Sequence, residues 1–92
     1  HSHVPVTFKL RKTIFYTLEP EISLDDKTKT IVNVGSVGQP RDDNPDAAFA
    51  LYDTDKKYVK IHRVKYNIDL AVEKIIKAGL PPILGERLRY GR

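Results

Sequence analysis

His1-x-His3 sets two imidazoles on the same side of an extended segment. Neutral imidazole is the commonest protein ligand for metals, and Zn, Mn, Fe and Ni all accept it. Two ligands do not complete a centre, because stable sites take three or more protein groups and hard metals want carboxylates among them. Read alone, the pair fits a ligand pair or the remnant of a tag. A free amino terminus with His at the third position also suits Cu(II) or Ni(II) in a square plane. Gly35-Ser36-Val37-Gly38 follows a β-branched run and offers a bend whose amides can face an anion. It matches neither the P-loop nor the dinucleotide fingerprint, and glycines placed for a tight turn account for it equally well. Arg41, one residue past Pro40, carries the planar fork that binds phosphate through two donors. Asp42, Asp43 and Asp46 also stand near enough in sequence to pair with it. These carboxylates lack the EF-hand spacing and its terminal Glu, so turn chemistry explains them better. His62 falls inside an alternating stretch and reads as a hydrogen-bonded strand residue.

The elements that must position these groups are mostly strands. Val4, Val6, Phe8 and Leu10 alternate with Pro5, Thr7 and Lys9, the period of a strand with one face buried. Residues 13–18 are branched and aromatic and suit a second strand, which Pro20 ends. Asp25-Asp26-Lys27 predicts a turn closed by side-chain bonds to the backbone, and residues 30–34 a third strand. Residues 41–46 form a loop. The nearly continuous apolar run 47–52 predicts a strand covered on both faces, turned at 53–57 into a fifth strand over 58–66. A single helix is expected at about 67–79, capped by Asn67, with Ile68, Val72, Ile75 and Ile76 on one face. Gly79 provides its left-handed end, and Pro81-Pro82 stops it. Residues 83–88 suit a last helical turn, with Arg87, Arg89 and Arg92 solvated. Short connections favour antiparallel pairing. One helix can cover one sheet face and leaves the other open, so the partner layer lies elsewhere.

Ninety-two residues allow one domain or a piece of one. A hydrophobic content of 40%, with five Tyr and three Phe, is globular in character. The absence of Cys removes disulfides, thiolate zinc sites and cysteine nucleophiles. No apolar stretch is long enough to cross a bilayer, and the chain reads as a soluble, cytoplasmic protein with no membrane partner. A net charge of +4 is too small and too dispersed to mark a nucleic-acid binder. Met is absent, which points to a processed chain or a segment of a longer one.

Taken together, the motifs resemble one family over the whole chain, residues 1–92. His1-Ser2-His3-Val4-Pro5 resembles the tail of the Gly-His-x-His-x-Pro motif of calcineurin-like metallophosphoesterases, without its leading Gly. Residues 33–42 resemble that family's Asn-Pro-Gly-Ser-Val-Gly-Gln-Pro-Arg-Asp segment, with Val34 where Pro is usual. Ala47-Ala48-Phe49-Ala50-Leu51-Tyr52-Asp53, Arg63-Val64-x-Tyr66-Asn67-Ile68, Gly79-Leu80-Pro81 and Arg87-Leu88-x-x-Gly91 continue the likeness in order. It is most similar to small prokaryotic phosphodiesterases described as diadenosine-tetraphosphatase-like.

The resemblance implies an α/β fold, the C-terminal half of a four-layer α/β/β/α sandwich. It implies two divalent metal ions (Mn, Fe, Ni or Zn), with His1 and His3 each ligating one. Asn33, Gly35, Ser36 and Arg41 then lie near the phosphate-ester substrate. A water acidified by both metals attacks phosphorus in line. The family's Asp-x-His, Gly-Asp and Gly-Asn-His motifs are missing from these residues. The chain is therefore expected to be an incomplete domain, inactive alone, covered by its N-terminal half or by a second copy. The competing readings are a non-catalytic β-rich binding module and a truncation product without activity.

Overall fold

The computed structural model describes residues 2–92. Six strands and two helices follow in the order β1 (Val6–Leu10), β2 (Ile14–Thr17), β3 (Glu21–Ser23), β4 (Lys29–Asn33), β5 (Ala47–Asp53), β6 (Tyr58–Val64), α1 (Ile68–Lys77) and α2 (Pro82–Tyr90). The strands form two three-stranded sheets, ordered β2-β1-β4 and β3-β6-β5. Every pairing is antiparallel, and β1–β2 and β5–β6 are hairpins closed by short connections.

Register decides which residues meet. Thr7 lies opposite Thr17 and Val32 in the first sheet. In the second, Val59 lies opposite Ile22 and Tyr52, and Ile61 opposite Ala50. Side chains alternate across a strand, so Thr7 and Val32 share one face, and Ile22, Val59, Ile61 and Ala50 share another. These two faces pack together: Val32, Leu24 and Ala50 close over the buried cluster Ile22, Val59 and Ile61. Lys9 reaches across from β1 to donate to the Ser23 carbonyl at 3.2 Å. The core is thus thin and lies between the sheets. Where their edge strands β4 and β5 diverge, a cleft of about 620 Å³ opens, lined by Thr30, Val32, Ala50 and Tyr52 among others.

The turns form by the chemistry their residues carry. The Asp25 carboxylate accepts from Lys27 N at 2.8 Å. Asp53 accepts from the amides of Asp55 and Lys56, both at 3.0 Å, and closes the β5–β6 hairpin. Asn67 caps α1 by accepting from Leu70 N at 3.0 Å, and Gly79 follows that helix at φ +77°.

Three expectations need correction. The strands number six rather than five, because β3 begins directly after Pro20. A proline at the start of a strand loses no ladder bond, and its carbonyl accepts from Ile61 N at 2.8 Å. The helices number two rather than the single one at about 67–79. Pro81-Pro82 does stop α1, but Pro82 also opens α2 from the first turn, where a missing N–H has no partner to lose. Finally, the run 47–52 is not covered on both faces: Phe49 and Leu51 point away from the inter-sheet core and are exposed.

The helices pack on each other where Val72 meets Gly85, and an Arg89–Asp69 ion pair ties them. They leave the outer sheet faces open. The radius of gyration is 15.9 Å, whereas a compact chain of this length has about 12 Å. No helix among the described residues is long and apolar enough to cross a membrane.

Candidate functional site

The segment before β1 and the loop after β4 meet in one hydrogen-bonded cradle. His3 has a left-handed backbone, φ +58°, a conformation that His tolerates better than most residues. Its Nδ1 lies 2.9 Å from the Gln39 carbonyl oxygen. A carbonyl only accepts, so Nδ1 carries the proton, and in the neutral ring Nε2 holds the lone pair. The His3 carbonyl in turn accepts from Arg41 N at 3.2 Å. Between Gln39 and Arg41, Pro40 is buried, which anchors both contacts to the core.

The residues expected beside it fill building roles. Asn33 donates through Nδ2 to Ser2 Oγ at 3.1 Å and accepts from Gly35 N at 2.9 Å. Gly35 sits at φ +88°, and a Cβ there would lie 2.8 Å from Pro5 Cγ and 3.1 Å from Ala48 Cβ. Only glycine fits that bend. Ser36 accepts from Gln39 N through Oγ and from Ala48 N through its carbonyl, both at 2.9 Å. His3, Asn33, Gly35 and Ser36 are therefore brought together. Arg41 joins them through its amide, while its guanidinium is exposed and pairs with no carboxylate among the described residues. His1 lies outside the described residues. His62, on the outer face of β6, stacks on Phe49 with ring centroids 5.2 Å apart and takes no part in the cradle.

The carboxylates near Arg41 pair elsewhere. Asp42 is bound by Arg63 from β6, and Asp43 by Arg92 at 2.8 Å. That hydrogen bond from Arg92, with the charge behind it, holds the Arg92 guanidinium above its ordinary pKa. Arg63 is the residue that sequence reasoning passed over. Its acceptors lie 17–21 positions away, and no local spacing betrays such a contact.

Among the described residues, no group of three or more His, Cys, Asp or Glu is arranged to hold a metal ion. His3 does suit the role of one ligand. Metal-binding histidines characteristically give the other ring N–H to a carbonyl or carboxylate, which fixes the tautomer, and Gln39 provides that acceptor here.

No protein-family model matches the chain. Its architecture does match a solved structure, the metallophosphoesterase from Sphaerobacter thermophilus, with a TM-score of 0.80 and 34% identity. The fold matches part of that metallophosphoesterase. The likeness covers 100% of this chain and 41% of that one. An uncharacterized protein of Methanocaldococcus jannaschii is 42% identical over 92 residues, again all of this chain and 37% of the relative. The chain thus spans about two fifths of the length of both. The motif likeness in the sequence and the likeness in coordinates agree on the same superfamily.

Proposed function

We propose that the chain is the C-terminal part of a dinuclear metal-dependent phosphoesterase, hydrolysing phosphomono- or phosphodiesters once joined to the rest of its domain. The observation that carries this reading is the whole-chain likeness to a metallophosphoesterase at 34% identity. The orientation of the His3 ring supports it. In this reading His3 presents Nε2 to one metal ion, and His1 serves the other. Bound divalent ions supply Lewis acidity and a nucleophilic water at neutral pH.

The chain's own residues supply position and charge. The Gln39 carbonyl keeps the His3 proton on Nδ1, away from the ligating nitrogen. Asn33, Gly35 and Ser36 shape the bend that carries Gln39. Arg41 holds the His3 backbone with its amide and leaves its guanidinium in solvent. There it can take two oxygens of a phosphate ester. Carboxylates for hard cations must come from the remaining portion, because two imidazoles do not hold two divalent ions against water.

The test is His3→Ala in the intact protein, assayed on bis-p-nitrophenyl phosphate with Mn²⁺. Activity should fall at least 10–100-fold, roughly the loss seen when metal-site groups are removed. Full activity in that variant would overturn the assignment. The 92-residue chain by itself should give no metal-stimulated turnover.

A further inference from the structure

Arg63 stands on the face of β6 that looks toward the other sheet, and its side chain is only 20% exposed. Nearly all its donors are spent on one loop. Nη1 and Nη2 both take the Asp42 carboxylate, the latter at 3.1 Å. Nη2 also donates to the carbonyls of Asn44 and Asp46 at 2.9 and 2.6 Å, and Nε to Asp46 at 3.2 Å. A planar fork aimed at a carboxylate and two carbonyls fixes a loop in direction as well as in place.

That loop leads straight into the cradle. Asp42 adjoins Arg41, whose amide holds the His3 carbonyl at 3.2 Å. Two residues earlier, Gln39 holds the His3 ring at 2.9 Å. His3 is bound by residues on either side of Pro40, and the next residue but one is clamped by Arg63. Without the clamp, the Pro40 anchor, the Ser36 turn and the Asp43 contacts with Gly91 and Arg92 would be left to hold the loop, none of them on the side that faces β6. A rotation of the Gln39–Arg41 peptides would then release Nδ1.

We propose that Arg63 is a positioning residue, setting the tautomer and aim of the His3 ring by clamping residues 42–46. Its catalytic relevance rests on the reading of His3 as a metal ligand. The positional claim stands on geometry alone and can be tested apart from it.

The test is long-range ¹⁵N–¹H NMR of the His3 imidazole in the metal-free intact protein, comparing the native form with Arg63→Lys and Asp42→Asn. Lys keeps the charge and loses the fork, whereas Asn keeps an acceptor oxygen and loses the charge. The native ring should be held as the Nδ1–H form, and both variants should gain the Nε2–H form. In the intact protein Arg63→Lys should weaken Mn²⁺ binding by about 10–100-fold, as loss of an outer support does. A folded variant that keeps the native tautomer would overturn the proposal. So would loss of dispersed amide signals in both variants, which would make the clamp a requirement of folding alone. If Zn²⁺ leaves the His3 Nε2 resonance unmoved in the intact native protein, the ligand reading fails while the positional claim survives.

Discussion

Gly91 lies so close to the backbone of Asn44 that a Cβ built on it would fall 2.6 Å from the Asn44 carbonyl carbon. The two are also joined through their neighbours. Asp43 N donates to the Gly91 carbonyl at 3.0 Å, and Arg92 pairs with Asp43. The end of α2 is thereby seated on the loop that Arg63 clamps from the other side. One short segment, residues 42–46, ties helix, sheet and cradle together.

The first prediction concerns that seat. Gly91 closes α2 in the left-handed conformation, φ +69°. Gly91→Ala brings both a strained backbone and a clash with main-chain atoms that cannot yield. Replacing Gly by Ala at positive φ costs more than the roughly 0.4–1 kcal/mol gained at compatible sites. We expect a loss of at least about 1 kcal/mol in urea unfolding, with the α2–loop amides exchanging faster than those of β5 and β6. An unchanged midpoint would show that the contact can relax.

Much of this arrangement is legible in the residues, and the illegible parts share a cause. β1, β4, β5, β6 and α1 announce themselves by periodicity, by Asx turns and by the Asn67 cap, all of which act within a few positions. β3 is three residues long and directly follows a proline, so its existence depends on β6 being there to pair with. α2 hides behind Pro81-Pro82, since the residues that end one helix also start the next. In the cradle, Gly35 and Asn33 are readable as a bend because their contact is local. The grip of Gln39 on His3 spans 36 positions. That of Arg63 on Asp42 spans 21. Such contacts exist only after the sheets have formed, and no spacing rule reaches them.

The second prediction is a pH dependence at the β3–β4 turn. The Asp25 carboxyl is held below its ordinary pKa, chiefly by the Lys27 amide, which outweighs an opposing effect of desolvation and is helped by Thr28 and Arg11. A depressed folded pKa means that the folded chain binds fewer protons than the unfolded one as the carboxylate titrates. The turn's contribution is therefore complete above the ordinary carboxylate range and is lost as pH falls through the folded value. Asp25→Ala should lower the urea midpoint at about pH 7, and the gap to the native protein should narrow on acidification toward about pH 3. The same gap at both pH values would show that the carboxylate's charge is irrelevant to the turn.

The last prediction follows from the outer face of the first sheet. Phe8 lies opposite Tyr16 and Ile31, and Leu10 opposite Ile14. All five therefore point away from the inter-sheet core, and Ile14 and Ile31 are 72% and 71% exposed. Lys29 alone brings charge to that face from β4. Contiguous apolar patches beyond several hundred Å² are rare on monomers and mark surfaces that something else covers. Folding of the described residues does not hide this one, because α1 and α2 pack on each other and the end of α2 on the 42–46 loop. On the proposal that the chain is part of a longer phosphoesterase, the remaining portion should lie here. The isolated chain should instead pair with a second copy, giving a concentration-dependent sedimentation coefficient. Ile31→Lys places a charge on this face, midway along its edge strand β4, without touching the core and should shift the chain toward monomer. A native chain that sediments as a monomer at every concentration, with a cooperative unfolding transition, would mean that the face is stable in water and needs no cover.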